Sequence, residues 1–419
     1  MSRILYKIFV FVYSRGIELY ALVNSKAALW VSGRRNLFEN ISAQLQNDKS
    51  PIIWMHCASL GEFEQGKPLI ETIKEKNGPH KIVLTFFSPS GYENVKNYSG
   101  VDYVFYLPID SPSNAKKFLD IVHPDLVLWV KYEYWYYFLS ELNTRNIPTL
   151  LISGIFRNGQ PFFKWYGKIW KEMLNCFSHF FVQNEHSKNL LNSIGFNKNV
   201  TINGDTRFDR VIQLSKNFTP IPLIETFCGD SIVFVAGSTW EEDEAELSHF
   251  VKSNPNIKFI IAPHEIDKGN LNDVRESFPH AVLFSEFEKN ISLNSKTNCL
   301  IIDNIGMLSR LYKYADITYV GGGFGDDGIH NILEPAVYGK PVFFGPVYDK
   351  YIEAEELIEQ GGAFTIDNAL ELEQEINSLL QDKDKLTQCG VAAKNYVFQK
   401  EGPTKKIVNY IYENRLLTN

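Results

Sequence analysis

Two series of short apolar runs, each run followed by a helical pattern, constrain this chain more than any other feature. From residue 51 the runs are PIIWMHC, KIVLTFF, VDYVFYL, DLVLWV, TLLIS, HFFVQ and VTIN. After an irregular stretch at 211–230 that contains TPIPL, a candidate hinge, the rhythm restarts with SIVFVAG, IKFIIAP, AVLFSEF, CLIIDN, ITYVGGG, PVFFGP and AFTID. Runs that are apolar throughout, rather than alternating, suit strands buried on both faces, and the intervening helices supply the crossovers that parallel pairing requires. At 419 residues the chain exceeds what one hydrophobic core serves. The reading is α/β, with two Rossmann-like, doubly wound parallel-sheet domains facing a central cleft. They are expected at residues 31–212 and 213–419, with the last helix, GPTKKIVNYIYENRLL, a candidate to pack back on the first domain.

Open α/β sheets bind ligands beyond the carboxyl ends of their strands, so the residues that follow each run carry the chemistry. They are polar: SLGE (59–62), SPSG (88–91), KYEYW (131–135), SGIFR (153–157), NGDTRFD (203–209), GSTWEEDE (237–244), APHE (262–265) and GGGFGDDGIHNILEP (321–335). Gly61 permits a tight turn and places the carboxylate of Glu62 where a strand hands over to a helix. There it serves either as a first-turn helix stabiliser or as a chemical group. Lys131 and Glu133 stand two apart, so a continuing strand would point both to one side, to pair with each other or to meet a ligand. Arg157 and Arg207 are strand-end cations, suited to a carboxylate or phosphate, or to the solvated surface.

In the glycine-rich segment, Gly321, Gly322 and Gly323 let backbone approach a ligand closely. A helix over NILEPAVYG would aim its N–H groups and dipole at a phosphate. His330 and Asn331 lead into it, and Glu334 in its first turn could accept from ribose hydroxyls. Ser238 and Thr239 precede EEDE, either as nucleotide or phosphate contacts or as the start of a capping box. His56 and His264 end strands, where hydrogen bonding and catalysis are both open. There is no GxxxxGK[ST] and no histidine or cysteine spacing that suits a metal, so neither a resident cofactor nor a metal is expected. The five cysteines are scattered and form no CxxC pair, which argues against a disulfide framework.

Charge is unevenly placed. Residues 1–35 carry six basic side chains against Glu18 alone, a net +5, which leaves −12 for the rest of a chain whose total is −7. That balance speaks against general nucleic-acid binding, whereas a basic, apolar start suits an anionic membrane surface. The opening ILYKIFVFVYSRGIELYALV has the length of a span, but Lys7, Arg15 and Glu18 interrupt it. Residues 1–30 are therefore read as a membrane anchor or interfacial helix, with a helix buried in the protein as the alternative. QPFFKWYGKIWKEML (160–174) interleaves aromatics with Lys164, Lys168 and Lys171. As one helix it would show aromatic and basic stripes, either for an interface or as an ordinary half-buried helix.

These segments together resemble the bacterial 3-deoxy-D-manno-octulosonic acid (Kdo) transferases over nearly the whole chain. The resemblance is carried by HCASLGE, KYEYW, GDTRFD, GSTWEEDE and, most specifically, GGGFGDDGIHNILEPAVYGKPVFFGP. It implies the two-domain GT-B architecture with an apolar amino-terminal anchor helix. The implied reaction is inverting transfer of Kdo from CMP-Kdo to the lipid A precursor (lipid IVA) in lipopolysaccharide core synthesis. The implied location is the cytoplasmic face of the inner membrane, with its lipid surface as a partner.

By the same resemblance Glu62 is the catalytic base, kept ionised by the helix dipole. Ser238, Thr239, His264, Gly321, Gly322, Gly323, His330, Asn331 and Glu334 fall on the donor side. Ser59, Lys131, Glu133, Arg157 and Arg207 fall on the acceptor or Kdo-carboxylate side. Two blocks depart from the pattern. A Pro-Arg-His motif appears as APHE, which puts His264 where a cation is expected, and an Asn-Ala-Arg block appears as SGIFR, which retains Arg157. A nucleotide-sugar 2-epimerase of the same fold and a non-catalytic lipid A-precursor binding protein are the alternatives.

Overall fold

Each of the fourteen apolar runs contains a strand in the computed structural model, which describes residues 3–417 except 77, 296 and 327. The chain divides into two compact units, one comprising the residues up to Arg210 together with those from Gly402, the other Val211–Glu401. The expected boundary at residue 212 falls inside the helix Thr206–Lys216.

The first unit holds β1 (Ile52–Cys57), β2 (Lys81–Phe86), β3 (Tyr103–Tyr106), β4 (Pro124–Val130), β5 (Thr149–Gly154), β6 (His179–Val182) and β7 (Val200–Ile202). They form one sheet in the order β3-β2-β1-β4-β5-β6-β7, every pair parallel. The strand order reverses between β1 and β4, and the carboxyl ends of those two strands flank the topological switch point. All six residues of β1 are buried, because helices cover both faces. Trp54, Trp129, Phe118 and Phe138 pack on one face. On the other, Ile53, Met55 and Leu128 meet Ile407, Val408 and Ile411 of the helix Pro403–Glu413. Asp209 holds the start of that last helix, accepting from the backbone N–H groups of Gly402 (2.7 Å) and Thr404 (2.6 Å).

The second unit holds β8 (Ile232–Thr239), β9 (Ile257–Pro263), β10 (Val282–Leu283), β11 (Cys299–Ile301), β12 (Ile317–Val320), β13 (Val342–Phe344) and β14 (Ala363–Thr365). The order is β10-β11-β9-β8-β12-β13-β14, again all parallel, and the switch point lies between β8 and β12. AVLFSEF forms less strand than its composition suggests. Only Val282 and Leu283 pair, because Glu286 accepts from the Leu283 N–H at 3.2 Å and turns Phe284–Lys289 into a helix.

The amino terminus corrects an expectation. Helix α1 (Arg3–Tyr20) forms, but no helix among the described residues is long and apolar enough to cross a membrane. The spanning anchor is therefore not supported. Arg3, Lys7, Arg15 and Glu18 keep the segment from being continuously apolar, and part of it packs on protein. Tyr6, Val10 and Ser14, spaced one turn apart, form the buried stripe. Ile4, Leu5, Ile8, Phe9, Phe11, Val12 and Leu19 stay exposed, as do Leu22 at 81% and Val23 at 83%. The Tyr6 hydroxyl donates to Asp110 Oδ2 at 2.6 Å, and Asp110 also accepts from the N–H groups of Tyr137 and Phe138, each at 3.0 Å. One buried carboxylate thus joins α1 to the start of the helix Tyr136–Thr144.

Residues 160–174 are not one helix. A single 3₁₀ turn, Pro161–Phe163, precedes the helix Lys168–Leu174, with Trp165 between them 95% exposed. Only glycine fits the turn at residue 167, since a Cβ there would lie 1.9 Å from the Pro161 carbonyl oxygen.

Burial raises the Asp110 carboxyl to about 6, against the lowering effect of its hydrogen bonds to Tyr6 and to backbone N–H groups. Between roughly pH 4 and 6 the folded protein holds a proton on Asp110 that the unfolded chain has released. The contribution of this group to stability therefore falls as pH rises through that window. Asp110→Asn should flatten the corresponding decline in melting temperature relative to the native chain, as read by scanning calorimetry at a series of pH values.

Candidate functional site

At the switch point of the first unit, β1 runs through Ser59 into helix α4, Leu60–Glu75 (numbered after α2, Ser25–Ser32, and α3, Leu37–Leu45). Glu62 closes a capping box. Its Oε2 accepts from the Ser59 N–H at 3.0 Å and is also in contact with the Ser59 hydroxyl, while Oε1 carries no hydrogen bond among the described residues. The two readings of Glu62 are thus compatible. One oxygen stabilises the helix, and the partly exposed carboxylate retains another face for chemistry.

On the neighbouring strand end, Lys131 and Glu133 do not pair with each other. Strand β4 stops at Val130, and Lys131 takes a left-handed backbone with φ 48°, which turns the chain and separates the two side chains. Lys131 is 6% exposed, with Nζ 3.7 Å from Asp205 Oδ2. Arg207 meets the same carboxylate through its Nε (2.9 Å to Oδ2) and its backbone N–H (2.9 Å to Oδ1). Gln183 donates to Oδ2 at 2.8 Å, and Gln65 reaches both oxygens at 3.3 Å. Burial opposes ionisation of Asp205, but Arg207 and Lys131 beside it hold its carboxyl below the usual carboxylate range.

Asp205 and Gln65 were not singled out by sequence. GDTRFD drew notice for its arginine, and only the fold shows that the aspartate gathers Arg207 and Lys131 together. Glu133 turns instead toward His56, whose Nε2 lies 3.5 Å from Glu133 Oε2. Arg157 is exposed, its backbone N–H donating to Gln160 Oε1 at 3.0 Å.

The second unit gathers its predicted residues at the carboxyl ends of β8, β9 and β12. Thr239 is buried and its hydroxyl donates to Glu244 Oε1 at 2.8 Å, so that group is engaged within the protein rather than offered to a ligand. Burial pushes the Glu244 carboxyl up to about 7. Ser238, partly exposed with φ 55°, turns the strand end. The EEDE segment does cap its helix, since Asp243 Oδ2 accepts from the Trp240 N–H at 2.9 Å. The same oxygen takes the Gly322 N–H at 2.8 Å, and Oδ1 takes the Tyr319 hydroxyl at 2.6 Å.

The three glycines serve internal packing. A Cβ would lie 2.3 Å from Ser238 O at Gly321, 2.4 Å from Gly328 O at Gly322 and 2.5 Å from Gly345 N at Gly323. The Gly321 N–H is taken by Gly237 O at 2.9 Å, so neither it nor that of Gly322 remains for a phosphate. The expected NILEPAVYG helix shrinks to Leu333–Ala336, too short to present a developed dipole. Asn331 bridges this turn, Nδ2 donating to Glu334 Oε1 at 3.1 Å and Oδ1 accepting from the Leu333 N–H at 3.3 Å.

What the site does present is a ring stack. Trp240 and His264 lie 4.5 Å apart between centroids, His264 and His330 4.4 Å apart, and Trp240 Nε1 donates to His330 Nε2 at 3.0 Å. Among the described residues no group of three histidine, cysteine or acidic side chains could hold a metal ion.

Residues 33–210 match the family model described as 3-deoxy-D-manno-octulosonic-acid transferase (kdotransferase). A bifunctional glycosyltransferase/methyltransferase of Fusobacterium nucleatum is 32% identical over 365 residues, covering 82% of this chain. The chain spans only 56% of that relative's length. The 3-deoxy-D-manno-octulosonic acid transferase of Aquifex aeolicus is 28% identical over 349 residues, 82% of this chain and 89% of its own. Among solved structures, the UDP-GlcNAc 2-epimerase of Methanocaldococcus jannaschii aligns with a TM-score of 0.56 at 15% identity, over 86% of this chain and 99% of that one. That likeness establishes a shared two-domain fold of GT-B type and nothing about activity.

Asp205→Ala would leave Lys131 and Arg207 without the carboxylate they share. The expected cost is about 3–5 kcal/mol of stability, measured by urea unfolding, and Asp205→Asn should recover part of it.

Proposed function

We propose, for a chain that belongs with the 3-deoxy-D-manno-octulosonic-acid (Kdo) transferases and is a glycosyltransferase, that it moves Kdo from CMP-Kdo to the lipid A precursor lipid IVA in lipopolysaccharide core synthesis. The observation that carries the reading is Glu62. It stands beside the switch point of the first unit with one oxygen fixed by Ser59 and the other without a protein hydrogen bond among the described residues.

In the proposed reaction a sugar hydroxyl of the acceptor attacks the anomeric carbon of Kdo. The new C–O bond forms as the bond from that carbon to the phosphate oxygen breaks. The leaving electron pair departs with CMP, and the hydroxyl proton passes to Glu62. A hydroxyl is a poor nucleophile until its proton is being removed, so a positioned carboxylate lowers the barrier. The Asp205 clamp supports Lys131 and Arg207 as the cations for an acceptor phosphate or the Kdo carboxylate. In the second unit Ser238, His264 and His330 are the groups proposed for the donor, with Asn331 and Glu334 for its ribose.

The exposed apolar side of α1 supports a working position on the cytoplasmic face of the inner membrane, with the helix lying in the lipid interface. Trp165 beside Lys164 and Lys168 extends that reading, since indole rings favour the headgroup level. The acyl chains of the acceptor would then remain in lipid while its headgroup reaches the protein.

Glu62→Gln should lower transfer by roughly 10²- to 10⁴-fold while CMP affinity is unchanged, with the mass of the lipid product as readout. Full activity in that variant removes Glu62 as the base. A native chain that interconverts a nucleotide sugar and leaves the lipid unchanged in mass would instead be an epimerase. Replacing Phe11 and Val12 by serine should reduce partition onto anionic vesicles at least about tenfold, with little change in CMP binding. Unaltered sedimentation with vesicles would refute the docking face.

A further inference from the structure

Three ring nitrogens converge on Glu133 from the interior of the first unit. Trp129 Nε1 donates to the Glu133 carbonyl oxygen at 2.6 Å and Trp135 Nε1 to Glu133 Oε2 at 3.0 Å. His56 Nε2 faces Oε2 at 3.5 Å, just beyond hydrogen-bond length. His56 is fully buried, and Nε2 has no hydrogen-bond partner among the described residues. A buried polar atom left in that state is costly unless something engages it.

The other side of the imidazole settles which nitrogen carries the proton. Strand β1 places Trp54 and His56 on one face, and β2 sets Thr85 beside His56 in register. Trp54 Nε1 can only donate, and it donates to Thr85 Oγ1 at 2.8 Å. That hydroxyl lies 2.9 Å from His56 Nδ1. If Nδ1 carried a proton, Thr85 would receive two donors, its own proton would have no acceptor among the described residues, and the Nε2 lone pair would face a carboxylate. If Thr85 donates to Nδ1, Trp54, Thr85 and Nδ1 are all satisfied and Nε2–H points at Glu133 across the 3.5 Å gap. The chain Trp54, Thr85, His56 and Glu133 then runs in one direction, and each link fixes the next.

We propose that His56 is a positioning residue. Its Nε2–H, fixed by Thr85 and Trp54, holds the Glu133 carboxylate so that it accepts a hydrogen bond from a hydroxyl of the sugar acceptor, and the gap to Glu133 closes when that acceptor binds. This rests on Glu133 belonging to the acceptor site, as in the function proposed above.

The tautomer can be read without any turnover. In the full chain labelled with ¹⁵N-histidine, long-range ¹H–¹⁵N correlation distinguishes the two neutral forms. The His56 signal is identified among nine histidines by its loss in His56→Gln. Protonation at Nε2 is expected, and protonation at Nδ1 overturns the proposal. Addition of a phosphorylated glucosamine disaccharide without acyl chains should move the Nε2–H resonance downfield. A signal unmoved with that ligand bound also overturns it.

In transfer assays His56→Gln, whose amide N–H falls near the place of Nε2, should stay within about threefold of the native chain. His56→Asn, whose amide falls near Nδ1, should raise the KM for acceptor about 10- to 100-fold with CMP affinity unchanged. Equal losses in both variants would reduce His56 to a packing role and refute the proposal. Should the native chain transfer nothing, the function proposed above fails while the tautomer measurement still stands by itself.

Discussion

A parallel sheet covered on both faces leaves polar side chains one place to gather, the carboxyl edge, and the chemistry of this protein follows from that restriction. Strand β1 is wholly buried, so Ser59 and Glu62 can reach solvent only after the strand ends. The same holds for Glu133 after β4, and Ser238 emerges only at the end of β8. The switch points sharpen the effect, because the two central strands diverge there and their following loops leave room for a ligand. Within each unit the candidate residues cluster because the backbone hydrogen-bonding scheme places them there.

At that edge the polar groups are organised by buried carboxylates. Asp205 gathers Lys131, Arg207, Gln65 and Gln183, and Asp243 ties the β8 turn to the glycine-rich loop through Trp240 and Gly322. Asp110 plays the same part under α1. In each case one carboxylate satisfies donors from segments far apart in sequence, which makes the local geometry rigid and the loss of the carboxylate expensive. The glycines of the loop belong to the same logic. They admit neighbouring backbone where any side chain would collide.

Sequence made the fold legible to the level of fourteen strands because near-continuous apolar runs have few other interpretations, and it located the polar edge because each run ends abruptly. It misread what depends on backbone sign and on distant partners. The positive φ of Lys131 cannot be inferred from KYEYW, so a pairing with Glu133 looked natural. The contact between residues 131 and 205 has no periodic signature. NILEPAVYG has a helical composition, yet only Leu333–Ala336 is helical. In 160–174 the composition suggested a continuous amphipathic helix, but successive tight turns lead to Gly167, where any Cβ would collide with the Pro161 carbonyl. The alignment of Trp54, Thr85 and His56 needs two strands in register, a fact that no single segment contains.

The placement of the helix Pro403–Glu413 bears on how the protein is made. Ile407, Val408 and Ile411 complete a core that includes Ile53, so the first unit lacks part of its interior until the residues beyond 402 have been translated. All of Val211–Glu401 emerges in the meantime and is free to fold as a unit. Of the two units, the one whose strands emerge earlier is therefore the later to close, and translation halted just after residue 401 leaves it unfinished beside a second unit that is already whole.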